Sequence, residues 1–253
     1  MTRVSAVVVS HDGAAELDEA LPALLPQVDE LVVIANTPGS VEDAPPGIRV
    51  LVNERPHGFA ANANRGIAET AGDFVVLANP DAVAQPEAVA ALRTFAESHP
   101  SCGVAGPRMV GLDGELVPSR RRFPTVRGTL VRRTPLRRLM RPLERQRAHY
   151  HLGEDPTEPV QADWLLGGFV LLRRTMLDEL GGFDPGFRLY GEDIDLCYRA
   201  AKAGWERWYV PEARVRHDYA AVIDRSFASR RTLWHWRGML RFVRKHPERL
   251  RSL

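Results

Sequence analysis

The sequence predicts an α/β protein: a mostly parallel sheet flanked by helices, interrupted by a basic insertion and ending in an amphipathic helix. Three observations predict it. Short β-branched runs alternate with segments of helical spacing through the first half. The chain has 253 residues, 44% of them hydrophobic, enough for one large domain with a real core. An Arg- and Pro-rich stretch over residues 118–160 then breaks the alternation, which resumes after it.

Val4 to Val9 is a continuous β-branched run and reads as a buried parallel strand. Leu17, Leu21, Leu24 and Leu25 recur at helical spacing, with Pro22 expected to bend that helix. Leu31 to Ile34 and Arg49 to Val52 read as the next two strands, and Ala60 to Thr70 has helical composition. Phe74 to Ala78 is a fourth apolar strand, ending at Asn79-Pro80-Asp81. Pro86 is expected in the first turn of a helix that buries Val89, Leu92 and Phe95. Beyond the insertion, Trp164 to Arg173 reads as a strand interrupted by Gly167-Gly168. Thr175 is expected to cap a short helix that stops at Gly181-Gly182, and a second helix runs from about Glu192 to Gly204. The last segment, about Ser226 to Lys245, places Trp236, Met239, Leu240 and Val243 on one stripe and Arg230, Arg237, Arg241 and Arg244 opposite. These boundaries divide the chain into a domain at 1–222 and a C-terminal helix at 223–253.

The net charge of +2 hides a strong asymmetry. Residues 1–119 carry a balance of −10, residues 120–160 one of +7, and residues 161–253 one of +5. An anionic surface or ligand is the expected partner of the later part. A basic helix edged with tryptophan suits a lipid headgroup layer; docking on the domain with an exposed basic face is the alternative. Nucleic acid is not expected, because the first half is acidic and no aromatics are interleaved with the arginines around residues 127–141. No apolar run reaches the roughly 18–20 residues that span a bilayer. Two cysteines, Cys102 and Cys197, make neither a disulfide framework nor a metal knuckle. The expected location is the cytoplasm, at the inner face of the cell membrane.

Ligands in open α/β sheets sit at the carboxyl ends of strands, which singles out Ser10-His11, Asn36 and Asn79-Pro80-Asp81. A carboxylate such as Asp81 can hold a divalent cation that bridges a diphosphate; as a lone tripeptide the motif reads first as a turn. Gly191-Glu192-Asp193-Ile194-Asp195 places three carboxylates at a helix start. The helix dipole favours acids there, and Asp195 can pair with Arg199 one turn on. The same crowding can turn one of them into a general base. Pro56 to Gly66 sets glycine beside amide side chains at a helix start, where backbone can approach a nucleotide.

The order and spacing of these elements resemble glycosyltransferase family 2, and within it the bacterial rhamnosyltransferase-type members. The resemblance runs from Val7-Val8-Val9-Ser10 through Gly58-Phe59 to Asn64-Arg65-Gly66, and on to Leu77-Ala78-Asn79-Pro80-Asp81 and Arg122-Phe123-Pro124. It continues through Trp164-Leu165-Leu166-Gly167-Gly168, Gly182-Phe183-Asp184, Tyr190 to Leu196 and His217. It implies a GT-A, Rossmann-like nucleotide-binding fold and an inverting transfer that depends on Mg²⁺ or Mn²⁺. Asp81 matches the metal ligand, with Asn79 where many relatives carry a first aspartate, and His217 matches a histidine that completes metal or diphosphate contacts. Asp193 matches the base of a Glu-Asp pair with Glu192. Ser10, His11, Asn36, Gly58, Phe59, Asn64, Asn79 and Asp81 match the nucleotide side; Trp164, Gly167, Gly168 and Asp195 match the region that shapes acceptor and donor sugar. One departure stands out: Ala35 precedes Asn36 where relatives usually carry a base-binding aspartate.

The resemblance thus implies a donor sugar on a dTDP or UDP diphosphate, rhamnose on dTDP being the leading choice. The implied acceptor is a hydroxyl of a glycan or polyprenyl-diphosphate-linked glycan. A non-catalytic nucleotide-sugar binder of the same fold is the alternative, motivated by Ala35 and Asn79.

Overall fold

The computed structural model describes residues 2–11, 14–41, 44–124, 155–217 and 230–250. Most of the basic excursion and the expected helix start at Ser226 lie outside them.

The first half is a run of strand–helix units: β1 (Val4–Ser10), α1 (Ala14–Leu24), β2 (Glu30–Ala35), β3 (Ile48–Val52), α2 (Phe59–Ala68) and β4 (Phe74–Ala78). β1 and β4 are buried at every position, as a central parallel strand with layers on both faces must be. β1 pairs in parallel with β2 and β4, with Val7 opposite Val32 on one side and Leu77 on the other. Gly66 lets α2 lie directly on this sheet, since a Cβ there would fall 2.3 Å from Val7 Cγ1.

The chain then forms β5 (Ala82–Ala84), α3 (Ala88–Ser98), β6 (Cys102–Val110), β7 (Leu116–Val117) and β8 (Arg120–Arg121). After the excursion come β9 (Val160–Gln161), β10 (Trp164–Leu165), β11 (Phe169–Arg173), α4 (Arg174–Leu180), α5 (Glu192–Lys202), β12 (Glu206–His217) and α6 (Arg230–Lys245). The main sheet runs β3-β2-β1-β4-β11-β6-β12-β5, with β11 and β5 antiparallel to their neighbours. One face is covered by α1 and α3 through Leu17, Leu21, Leu24, Val89 and Leu92. The other is covered by α2, α4 and α5, with Met239 and Phe242 of α6 in the same cluster.

Several expectations change. Pro86 precedes its helix: β5 first pairs with β12, the Gln85 N–H donates to Arg214 O, and the chain turns before α3 begins at Ala88. Thr175 lies inside α4 and caps nothing, because β11 runs straight into that helix and Asp73 O accepts the Arg174 N–H. The expected strand 164–173 is two strands: β10 pairs with β8 in a separate ribbon, and β11 enters the main sheet. Gly167-Gly168 carries the crossing between them.

α6 is rotated from its expected stripe. Thr232, His235, Met239 and Phe242 are buried, and His246 continues the row, whereas Leu240 stands 51% and Leu233 55% exposed. Aromatic packing sets this rotation: Phe242 and His246 lie on Tyr198 of α5 at 5.6 and 4.5 Å between ring centroids.

Candidate active site

The carboxyl ends of β1, β2, β3 and β4 deliver Ser10, Asn36, Asn53 and Asn79 to one edge of the sheet. Asp81 follows, and β12 ends on His217, opposite Ala82 of β5. Asp81 Oδ1 lies 3.2 Å from the buried His217 Nε2, and Asn79 Nδ2 lies 3.4 Å from the same nitrogen. One carboxylate oxygen and one imidazole nitrogen converge here, and among the described residues no group of three or more His, Cys, Asp and Glu does. That donor set fits a cation taking its other ligands from a diphosphate and water, as Mg²⁺ and Mn²⁺ commonly do. Gly168 completes the wall: its carbonyl accepts the Asn79 N–H at 2.8 Å, and a Cβ on it would stand 3.0 Å from the His217 ring.

The second half of the site is the start of α5. Tyr190 (φ 70°) and Gly191 (φ 98°) are both left-handed, turning the chain sharply into Glu192-Asp193. Asp193 Oδ1 accepts the Ile194 N–H at 2.8 Å, and Oδ2 accepts the Gly167 N–H at 3.2 Å. Asp193 keeps part of its surface open. Desolvation raises its carboxyl above the ordinary value, against the pull of those N–H groups and the Arg121 charge. Glu192 is buried, with Oε2 lacking a hydrogen-bond partner. Burial, and then the Asp193 charge, pushes it up to about 8. Glu192 is thus the member of the pair pushed up by its neighbour's charge, which leaves Asp193 as the candidate general base.

The raised Glu192 makes a stability prediction. Its contribution is fully present below the ordinary 4.5 and is lost as pH rises through about 8. Gln cannot ionise there. The melting temperature of Glu192→Gln relative to the native chain is expected to increase between pH 6 and pH 9. A difference that stays constant over that range contradicts the buried, protonated carboxyl.

Around the nucleotide side, the structure redistributes roles. Asn36 Oδ1 accepts the His57 N–H at 2.8 Å and the Asn53 amide at 2.8 Å, while its own amide reaches His57 O at 3.1 Å and His11 Nδ1 at 3.0 Å. Asn53 also donates to Asn62 Oδ1 at 2.7 Å. This buried amide chain holds the 57–58 loop in place, and the Asn36 side chain is committed to it. Asn64 is a correction. Its carboxamide closes on the Phe183 backbone, accepting the N–H at 2.8 Å and donating to the carbonyl at 2.7 Å. Gly58 is a glycine because a Cβ would sit 2.9 Å from Arg188 Cα, and the Phe59 N–H donates to Arg188 O at 2.9 Å. Ser10 Oγ is buried without a hydrogen-bond partner, and His11 is exposed at the rim.

With this geometry in view, comparison with known proteins is decisive: the sequence pattern described as "Glycosyltransferase like family 2" matches residues 4–236. The chain belongs to that family. It is 31% identical to the N-acetylglucosaminyl-diphospho-decaprenol L-rhamnosyltransferase of Mycobacterium tuberculosis, over 85% of this chain and 78% of that one. It is 41% identical to rhamnosyltransferase WbbL of Escherichia coli over 32% of this chain and 30% of that protein. The fold is that of GalNAc-T7, solved with UDP, GalNAc and Mn²⁺ (TM-score 0.67, 18% identity), covering 96% of this chain; this chain spans 48% of that enzyme. It is also that of a mannosyltransferase from Pyrobaculum calidifontis, solved with GDP-Man and Mn²⁺ (TM-score 0.55, 15% identity, 99% of this chain and 72% of that one). The sheet is therefore a GT-A sheet.

In this glycosyltransferase two expected sugar-side residues take other places. Trp164 is buried, donates its indole N–H to Arg122 O at 2.8 Å, and lies under the Arg121 guanidinium at 5.1 Å. It supports Arg121, whose charge acts on Asp193. Asp195 is fully buried in a cationic cluster: Oδ2 accepts from Arg199 Nε at 2.7 Å and Lys245 Nζ at 2.9 Å, and Oδ1 lies 2.8 Å from His246 Nε2. Asn53, Asn62, Arg121 and His246 were missed by sequence reasoning. The run of asparagines from Asn53 to Asn64 is the one signal that pointed toward two of them.

Proposed function

We propose that this glycosyltransferase moves a deoxyhexose, L-rhamnose from its dTDP-activated form, onto a hydroxyl of a polyprenyl-diphosphate-linked glycan in cell-envelope polysaccharide synthesis, with inversion. One observation carries the chemistry. Consecutive glycines join the two halves of the site, Gly167 through its N–H on Asp193 and Gly168 against Asn79 and His217. A base and a diphosphate-side pair are thus held at opposite ends of one two-residue turn. The printed activity of the mycobacterial relative supports the sugar and the lipid-linked acceptor.

Asp193 takes the proton of the acceptor hydroxyl on its carboxylate. The acceptor oxygen bonds to the anomeric carbon, and the bond from that carbon to the donor diphosphate breaks with its electron pair on the diphosphate. Asp81 and His217 would hold a divalent cation, which supplies Lewis-acid stabilisation of the leaving diphosphate when bound. The 57–58 loop, fixed by Asn36 and Asn53, lines the nucleotide pocket. Ala35 offers no acid to the base, so this loop and Asn36 must supply that recognition. A thermal-shift panel of dTDP-, UDP- and GDP-sugars, with and without Mn²⁺ or Mg²⁺, tests the donor class. The largest stabilisation is expected with dTDP-rhamnose plus metal; an equal or larger shift with a GDP-sugar contradicts the reading.

The acceptor's lipid places the enzyme at a membrane, and α6 supplies the surface. Arg237, Arg241, Arg244 and Lys245 surround Leu240 and Asp184 in an open cleft of about 530 Å³. Leu233 and Leu240 protrude on its outer side. Each Arg or Lys near an anionic leaflet is worth on the order of 1 kcal/mol. Flotation with phosphatidylglycerol vesicles is expected to recover the chain, and Leu233→Glu with Leu240→Glu to lower recovery at least several-fold. Equal recovery on neutral and anionic vesicles contradicts electrostatic docking. No helix among the described residues is long and apolar enough to cross a membrane.

A further inference from the structure

Asp195 is a fully buried carboxylate two residues beyond the base, and the proposed chemistry leaves it unused. Its partners come from two helices. Arg199 belongs to its own helix, whereas Lys245 is the last residue of α6 and His246 follows it. The Asp195 N–H donates to Gly191 O at 2.9 Å, so the residue that carries this carboxylate is bonded through its backbone to the turn that presents Asp193.

α6 touches that turn at a second place. A Cβ on Gly238 would lie 2.2 Å from Tyr190 O, so the helix backbone rests on the Tyr190 carbonyl. Tyr190 and Glu87 are the non-glycine residues with positive φ among those described, and a left-handed tyrosine persists only where its surroundings dictate it. The His235 ring meets the Tyr190 ring edge-on, 6.0 Å between centroids. Asp193 itself has few restraints. Its contacts are the N–H of the next residue and a long 3.2 Å bond from Gly167, so its aim follows the turn.

We propose that α6 aims the base: His246 and Lys245, through Asp195, and Gly238, against the Tyr190 carbonyl, are positioning residues for glycosyl transfer. This rests on the reading of Asp193 as base. Removing the His246 imidazole leaves Asp195 Oδ1 buried and unpaired, and the first turn of α5 shifts to re-pair it. A displacement near 1 Å at a reacting group costs about 100-fold in rate, while the donor pocket on the far side of the Gly167-Gly168 turn keeps its contacts.

The test uses the full chain and follows kcat, donor KM and the melting transition for five variants. His246→Ala is expected to lower kcat about 10- to 100-fold with donor KM within about threefold of the native value. His246→Gln, whose Nε2 can reach the same oxygen, is expected to recover most of kcat. Lys245→Ala, at a part-exposed site that tolerates truncation, is expected to lower kcat several-fold and keeps the test decisive if His246→Ala does not fold. Arg49→Ala breaks the exposed pair with Glu69 at 3.6 Å, on the edge strand β3, and is expected to leave kcat unchanged. Unchanged kcat per folded molecule in Lys245→Ala and in any folded His246→Ala, whatever the melting temperature does, overturns the proposal. Asp193→Asn separates the two readings. If it turns over normally the base assignment has failed; if it is inactive while His246→Ala and Lys245→Ala are normal, only the positioning role has.

Discussion

Asp193→Asn is expected to reduce kcat by about 10²- to 10⁴-fold, the usual worth of a positioned general base, while donor affinity stays within a few-fold. The substitution keeps size and shape, and its single oxygen still accepts from one of the Gly167 and Ile194 N–H groups while the other loses its acceptor. It removes proton affinity that desolvation has raised above an ordinary aspartate's. The same cause sets the pH profile. The acid limb of kcat should lie above the ordinary aspartate range, because protonated Asp193 cannot take the acceptor proton. The effect must appear in kcat, because the nucleotide pocket is built from other strands. A rise in donor KM with kcat unchanged would assign Asp193 to donor binding instead.

The second large effect belongs to Asp81. Replacing it by Asn removes the carboxylate that lies 3.2 Å from His217 Nε2. The expected loss is about 3–4 kcal/mol of stabilisation of the leaving diphosphate, about 10²- to 10³-fold in kcat. Metal titrations distinguish this from local damage. The native enzyme should lose activity to a chelator and recover it with added Mn²⁺ or Mg²⁺. Asp81→Asn should need far more metal for half-maximal rate. His217→Ala should show a smaller shift of the same kind, since it leaves the charged ligand in place. Identical metal dependence in all three proteins would remove Asp81 and His217 from the cation site.

Much of this site could be read in advance because it lies where topology alone puts ligands. β1, β2 and β4 are short, valine-rich and mostly apolar runs, and the residue types at their carboxyl ends are visible without coordinates. β6 and β12 were not anticipated. β6 contains Gly103, Gly106 and Pro107, and β12 alternates charge with apolar residues around Pro211, so neither shows an apolar run. Their pairing with each other, with β-bulges, is a long-range outcome that local pattern does not encode. The amide side chains misled for a related reason. Asn36 follows a strand and Asn64 lies in the middle of α2, positions that suit ligand contact and buried backbone pairing equally well. Only the positions of His57 and Phe183, remote in sequence from some of their partners, decide between the two. Asp195 is the clearest case: acids in a helix first turn are favoured by the dipole, its pairing with Arg199 one turn on could be read from the spacing, and its bonds to Lys245 and His246, about 50 residues later, could not.

The rotation of α6 follows from the same limit. Helical spacing identified an amphipathic segment but two overlapping stripes were available, and the aromatic surface of Tyr198 selected the one ending in Phe242 and His246. That choice turned Leu233 and Leu240 outward and brought Lys245 onto Asp195 and Asp184. One helix thereby supplies both the proposed membrane face and the support of the catalytic turn.

The central claim is inverting glycosyl transfer from a nucleotide-diphosphate sugar. It is tested most directly by incubating the chain with dTDP-L-rhamnose, Mn²⁺ and a polyprenyl-diphosphate-linked N-acetylglucosamine, and reading the mass and anomeric configuration of the product. The expected product carries one added deoxyhexose with its anomeric configuration inverted relative to the donor. A product of retained configuration, or tight donor binding with no transfer and no hydrolysis, would contradict the account.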